Sequence, residues 1–166
     1  MNYQPSMIGD KDNVRYALVQ KGEEKTLYVI ALNPSTANDS KADHTMRKIM
    51  GFAERNGFDG YVMMNLYPQR STSPDNLDMK VNDILFEENL RYIEKFLSGE
   101  NAPVVLLCYG VNICIRSYLC DSLAKIREIG EKYNAQWKCI GTTKDGEPLH
   151  PSRPGYCKFV DYKFSF

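Results

Sequence analysis

Asn33, Asn65 and His150 are the residues whose types and surroundings could do chemistry. Asn33 opens N-P-S directly after the apolar run Y-V-I-A-L, Asn65 ends the run Y-V-M-M, and His150 heads H-P-S-R. A primary amide carries a donor and an acceptor in one plane, so it can read the edge of a planar heterocycle or hold a water through its oxygen. A neutral histidine can donate a hydrogen bond to an oxygen on which negative charge builds. Ligands of open α/β sheets bind outside the carboxyl ends of the strands, where a polar residue after an apolar run would lie. Each segment also has an ordinary explanation. Asn-Pro and Ser initiate turns, an amide at a strand end can satisfy loop backbone groups, and H-P-S-R-P-G reads as a proline-rich turn.

The elements that must position these residues follow from hydrophobic periodicity. Residues 13–20 and 25–32 flank K-G-E-E and read as a β-hairpin. From His44 to about Asn56, Met46, Ile49, Met50 and Ala53 fall on one helical face, with Asp43 placed to cap the helix and Gly57 to stop it. A second strand, 60–67, ends in Asn65 with Tyr67 and Arg70 just beyond, and the loop from Pro68 to Leu77 is long enough to be functional. A helix is expected over 82–97. The run 103–110, nearly all apolar, reads as a central strand ending in Tyr109. A helix over 112–133 and a short strand over 137–140 complete the pattern. This alternation predicts one α/β domain over residues 1–166: a three-layer sandwich with a mainly parallel central sheet of about four strands plus an N-terminal β-hairpin strand.

Composition narrows the function classes. Hydrophobic residues make up 43% and charged residues 25% of 166, which is globular, and 21 basic residues balance 21 acidic ones. A broad basic surface for duplex nucleic acid is therefore not expected. No stretch reads as a signal peptide or membrane span, and the five cysteines include no C-x-x-C pair. The expectation is a reducing cytoplasm with free, mostly buried thiols, and neither metal nor cofactor. The absence of G-x-S-x-G, of a P-loop and of G-x-G-x-x-G argues against a serine hydrolase and against the common nucleotide-phosphate folds.

Four segments in order carry a resemblance. Leu32-Asn33-Pro34-Ser35 is similar to the G-I-N-P-G motif of one branch of the uracil-DNA glycosylase superfamily, and Met63-Met64-Asn65 to a later strand ending in an asparagine that reads a pyrimidine edge. Leu107-Cys108-Tyr109-Gly110 is similar to a third strand ending in W-G, and His150-Pro151-Ser152 is identical to the final H-P-S. L-N-P-S-T-A, D-H-T-M-R, N-L-Y-P-Q-R and K-D-G-E-P-L-H-P more closely resemble a bacterial and phage family known only as a domain of unknown function. The superfamily resemblance implies a uracil-DNA glycosylase-like fold and hydrolysis of a nucleobase N-glycosidic bond, with Asn33 holding the water and His150 polarising a base carbonyl. It further implies that Asn65 reads the base, Tyr67 or Tyr109 stacks on it, and Pro34 of the first motif is among the substrate-binding residues. Ser35, Ser152, Arg70 and Arg153 would then be the phosphate contacts. The partner would be nucleic acid, single-stranded or locally opened in view of the zero net charge, or a small nucleotide.

The chain departs from that pattern in three ways. Asn33 stands where the uracil-specific branch has a water-activating aspartate, and an amide is no base. The tyrosine that screens bulky 5-substituents is absent, which implies a broad or unusual base choice. No aliphatic wedge follows H-P-S, leaving Arg153 and Tyr156 to fill the gap of a flipped base. The alternative function is a non-catalytic nucleotide- or modified-base-binding protein of the same fold.

Overall fold

The computed structural model describes residues 1–166 and forms a mixed α/β fold, a seven-stranded sheet with three α-helices packed on its two faces. In chain order the elements are β1 (Ser6–Gly9), β2 (Arg15–Gln20), β3 (Thr26–Ala31), α1 (His44–Arg55), β4 (Gly60–Asn65), α2 (Asp83–Leu97), β5 (Val104–Leu107), α3 (Ser117–Lys132), β6 (Gln136–Cys139) and β7 (Val160–Asp161). Across the sheet the order is β1-β2-β4-β3-β5-β6-β7. The pairs β3–β4, β3–β5 and β5–β6 are parallel; the other three are antiparallel.

The middle strand explains the rest. β3 reads T-L-Y-V-I-A, β-branched and aromatic, and every residue after Thr26 is buried. Alternation divides it: Leu27, Val29 and Ala31 pack with Met46, Ile49 and Phe52 of α1, while Tyr28 and Ile30 pack with α2 and α3 through Ile93, Leu97, Leu119 and Ile126. A one-residue slip would exchange the two sets, so both faces fix the register. Asp43 caps α1 by accepting from the Met46 N–H at 2.9 Å, and Asn82 caps α2 by accepting from that of Leu85 at 3.2 Å.

The structure corrects several expectations. The sheet is larger and more mixed than a mainly parallel one of about four strands, because β1, β2 and β7 add antiparallel edges around the four parallel strands. The hairpin of residues 13–20 with 25–32 does not form. β2 pairs instead with β1 and β4, and β4 lies between β2 and β3. The five residues between β2 and β3 reach roughly 16 Å, enough to cross the roughly 10 Å of two inter-strand spacings. The K-G-E-E link passes over the start of β4 and is held there. The Asp59 carboxylate accepts the backbone N–H groups of Glu23, Glu24 and Lys25 at 2.8, 3.0 and 2.7 Å. Gly60 leaves the room: a Cβ there would fall on the Gly22 nitrogen and lie 2.5 Å from the Gln20 carbonyl oxygen.

The expected helix over 112–133 is divided. A 3-10 turn at Val111–Ile115 precedes Arg116 in extended conformation, and α3 starts at Ser117. The break lets the Arg116 guanidinium donate to the carbonyls of Asp75, Leu77 and Asp78, which fixes the loop after β4. Nor are the thiols mostly buried: Cys108 and Cys139 are, whereas Cys114, Cys120 and Cys157 are exposed. No helix is long and apolar enough to cross a membrane.

The crossing at Gly60 yields a prediction. Gly60→Ala is expected to lower the unfolding free energy by about 1–3 kcal/mol through backbone overpacking. Gly155→Ala, where a Cβ meets nothing within 4 Å, should stay within about 0.5 kcal/mol of the parent. Urea denaturation of both variants measures the difference.

Candidate functional site

Two connections diverge at the centre of the sheet. After β3 the chain turns into α1 on one face, and after β5 it turns into α3 on the other. The crevice between the carboxyl ends of such neighbouring strands is the topological switch point of an α/β sheet, where ligands bind. Here it holds a cavity of about 600 Å³, within the usual range for a small-molecule site. Leu32, Asn33 and Ser35 wall it after β3, and Tyr109, Gly110 and Val111 after β5. Ser71, Thr72 and Pro74 of the loop after β4, Asp43 and Thr45 at the start of α1, and the segment His150–Pro154 close the remaining sides, apart from Pro151.

Asn33 is locked in orientation. Its Nδ2 donates to the carbonyls of Pro34 and Ser71, at 3.1 and 3.0 Å. Two acceptors on one atom identify that atom as the nitrogen, so Oδ1 is left as an acceptor at the cavity. Pro34 itself is buried, and its carbonyl also accepts the Ser71 N–H, which ties the turn after β3 to the loop after β4.

His150 is locked as well. Its Nδ1 accepts the Ser152 backbone N–H at 3.2 Å and lies 2.8 Å from Ser152 Oγ. A backbone N–H only donates, so Nδ1 is the acceptor and the neutral ring carries its proton on Nε2. Burial holds its pKa below the ordinary histidine value, against the pull of Asp43 and with a smaller push from Arg153. Gly110 allows the chain at His150 to come close: its φ is +74°, and an added Cβ would lie 3.3 Å from His150 Cβ.

The other expected residues divide. Ser35, Ser152 and Arg153 line the cavity, with Arg153 exposed. Tyr109 lines it too, but the residue is buried and its hydroxyl lies 3.4 Å from that of Tyr162, so it serves as a wall and offers no free ring face. Tyr67 lies outside the cavity, fully buried against Tyr118 at 4.7 Å between ring centroids, its hydroxyl accepting the Asn82 N–H. Arg70 also lies outside, donating to the carbonyls of Thr36 and Ala37 at 3.4 and 3.3 Å. Tyr156 lies on α1, with Arg55 3.8 Å from its ring centre and Lys48 at 4.4 Å.

Asn65 is the unusual case. It pairs in register with Ala31, and alternation puts it on the face of Met63. Ala31 and Met63 both line the cavity, but Asn65 is 0% exposed and does not reach its surface. Neither Oδ1 nor Nδ2 of Asn65 has a partner in the protein. Its backbone carbonyl is satisfied from the opposite face by Asn89 Nδ2 at 2.8 Å.

Two cavity residues were missed as functional in the sequence. Asp43 was read as a helix cap, which it is, yet its carboxylate also accepts the Ala37 N–H at 3.2 Å and faces the cavity. Arg15 sits among apolar residues of β2, and the lone charge in that run was the available signal. It is 2% exposed and also lines the cavity. No group of three or more His, Cys, Asp or Glu side chains is arranged to hold a metal ion.

Two expectations follow from these environments. An unsatisfied buried amide costs about 1–3 kcal/mol per group, so Asn65→Leu should raise the unfolding free energy by about 1 kcal/mol or more; a loss of that size would show that the amide has partners in solution. His150 has a folded pKa below its unfolded one, so the folded state binds fewer protons between the two values. Its contribution is intact above about pH 6.5, the unfolded value, and is lost as pH falls through the folded value. Denaturation curves from pH 5 to 8 should show this slope in the parent and not in His150→Gln.

No curated protein and no solved structure matches the chain. One family model, "Protein of unknown function (DUF1643)", matches residues 15–152. That span starts at the buried Arg15 of β2 and ends on the Ser152 that orients His150. The chain is thus a member of the DUF1643 family of proteins of unknown function.

Proposed function

We propose that the cavity receives a nucleobase and that the protein hydrolyses the N-glycosidic bond of a nucleotide or of a locally opened single strand, on a scaffold akin to that of the uracil-DNA glycosylases. One observation carries this reading: Asn33 Oδ1 and the Nε2–H of His150, both held in orientation and both unengaged, belong to a single cavity at the switch point. The ordered motifs L-N-P-S, C-Y-G and H-P-S, whose Asn33, Tyr109 and His150 line the cavity, support it.

In this reading a water held by Asn33 Oδ1 forms the new C1′–O bond as the C1′–N bond breaks. The bonding pair leaves with the base, and the Nε2–H of His150 bonds the base carbonyl where that charge spreads. Neutral His150 can fill this role because its Nδ1 accepts the Ser152 N–H, which leaves the proton on Nε2. Asn33 cannot take the water's proton, but the Asp43 carboxylate on the cavity wall can, because each of its oxygens accepts only one backbone N–H and keeps a free lone pair.

A second reading, a non-catalytic nucleotide-binding protein, is favoured by the engagement of Asp43 as a helix cap. Single- and double-stranded oligonucleotides with uracil, mismatched or modified bases, scored for abasic sites, and free nucleotides, scored for released base, separate the two. Hydrolysis should fall about 10²–10³-fold in His150→Ala, as for loss of one oxyanion donor, and fall also in Asn33→Ala. Binding of nucleotide with no cleavage of any substrate would select the second reading.

A further inference from the structure

Arg15 is a buried charge with no carboxylate in ion-pair contact. Its Nη1 donates to the Ala37 carbonyl at 2.8 Å, its Nε has no acceptor, and every ion pair of the protein lies elsewhere. A second guanidinium makes the imbalance worse: Arg70 Nη2 lies 3.3 Å from the same carbonyl. Asp43 is the one carboxylate that favours the Arg15 charge, but it is not in ion-pair contact with it. Burial lowers the Arg15 pKa to about 10, with Arg70 adding to the shift, so the group stays protonated at neutral pH. An unpaired buried cation is costly, and proteins pair such groups.

The surroundings of Arg15 also favour an anion. α1 starts at the same cavity with Thr45 on its wall; the only carboxylate at this helix end is its cap Asp43, and the first turn proper holds none. The partial positive charge of a helix N-terminus adds to that of the guanidinium. Ser35 and Arg153 also line the cavity.

We infer that the Arg15 end of the cavity is an anion subsite that takes a phosphate monoester, so that the ligand is a small nucleotide bound through its phosphate as well as its base. Calling the ligand a nucleotide rests on the base-binding reading above; the anion subsite does not. A planar guanidinium with a free Nε–H suits two parallel bonds to phosphate oxygens. The phosphate supplies the missing counter-charge, and the base lies toward Asn33 and His150.

Calorimetry on the full chain tests this with three sets of probes: the nucleosides, their 5′-monophosphates, and ribose 5-phosphate. At least one monophosphate is expected to bind about tenfold or more tightly than its nucleoside, as for one charge-assisted contact, and ribose 5-phosphate should compete with it. Arg15→Gln should remove that increment. If Arg15→Gln does not fold, Arg15→Lys, which keeps the charge and loses the Nε–H, should shrink the increment without abolishing it. Equal binding of nucleoside and monophosphate would overturn the subsite while leaving base recognition standing. Binding of ribose 5-phosphate with no gain from any base would sustain the subsite and overturn the nucleotide reading. Binding of none of these probes would overturn both.

Discussion

The opposite departures of α1 from β3 and of α3 from β5 are the constraint on which the rest of the structure depends. Adjacent parallel strands whose following helices cover different faces cannot close the space beyond their carboxyl ends with those helices. Loops must line it instead. In this chain they do so with bonds that leave few loose groups. Asn33 joins the turn after β3 to the loop after β4, Arg116 fastens that loop from the start of α3, and the Ser152 N–H sets the ring of His150.

Against this well-satisfied frame, three buried side chains keep atoms without partners: Arg15, Asn65 and Asn89. Asn89 spends its amide nitrogen on the backbone at the end of β4, and its role is structural. Arg15 and Asn65 face the other side of the sheet, at or beside the cavity. Each unsatisfied buried group costs about 1–3 kcal/mol, a large share of the net stability of a domain this size. Such costs are concentrated where binding groups must be held ready, which is the usual conflict between stability and function.

Much of this was legible in the sequence where the cause is local. Asp43 as a cap, the helical face of Met46, Ile49 and Ala53, and the ends of β3 and β4 all follow from periodicity and capping chemistry. Strand order was not legible. Nothing local tells residues 15–20 to pair with 60–65 and not with 25–32; the decision is made at Gly60 and Asp59, some forty residues downstream, where the backbone crosses. The site was half legible for the same reason. Asn33 announces itself at a strand end and His150 in its H-P-S segment, but whether Tyr67 turns into the core or into the cavity depends on Tyr118, and the burial of Arg15 depends on the loop that carries Ala37. Such facts belong to contacts between distant segments.

The central claim is that Arg15 and His150 hold unengaged donors for one ligand. Side-chain ¹⁵N NMR during titration with a nucleoside 5′-monophosphate tests it most directly, because the Arg15 Nε–H and the His150 Nε2 can each be followed. Both resonances are expected to shift together along one saturation curve. Saturable binding that moves neither of them, with shifts confined to other residues, would contradict it.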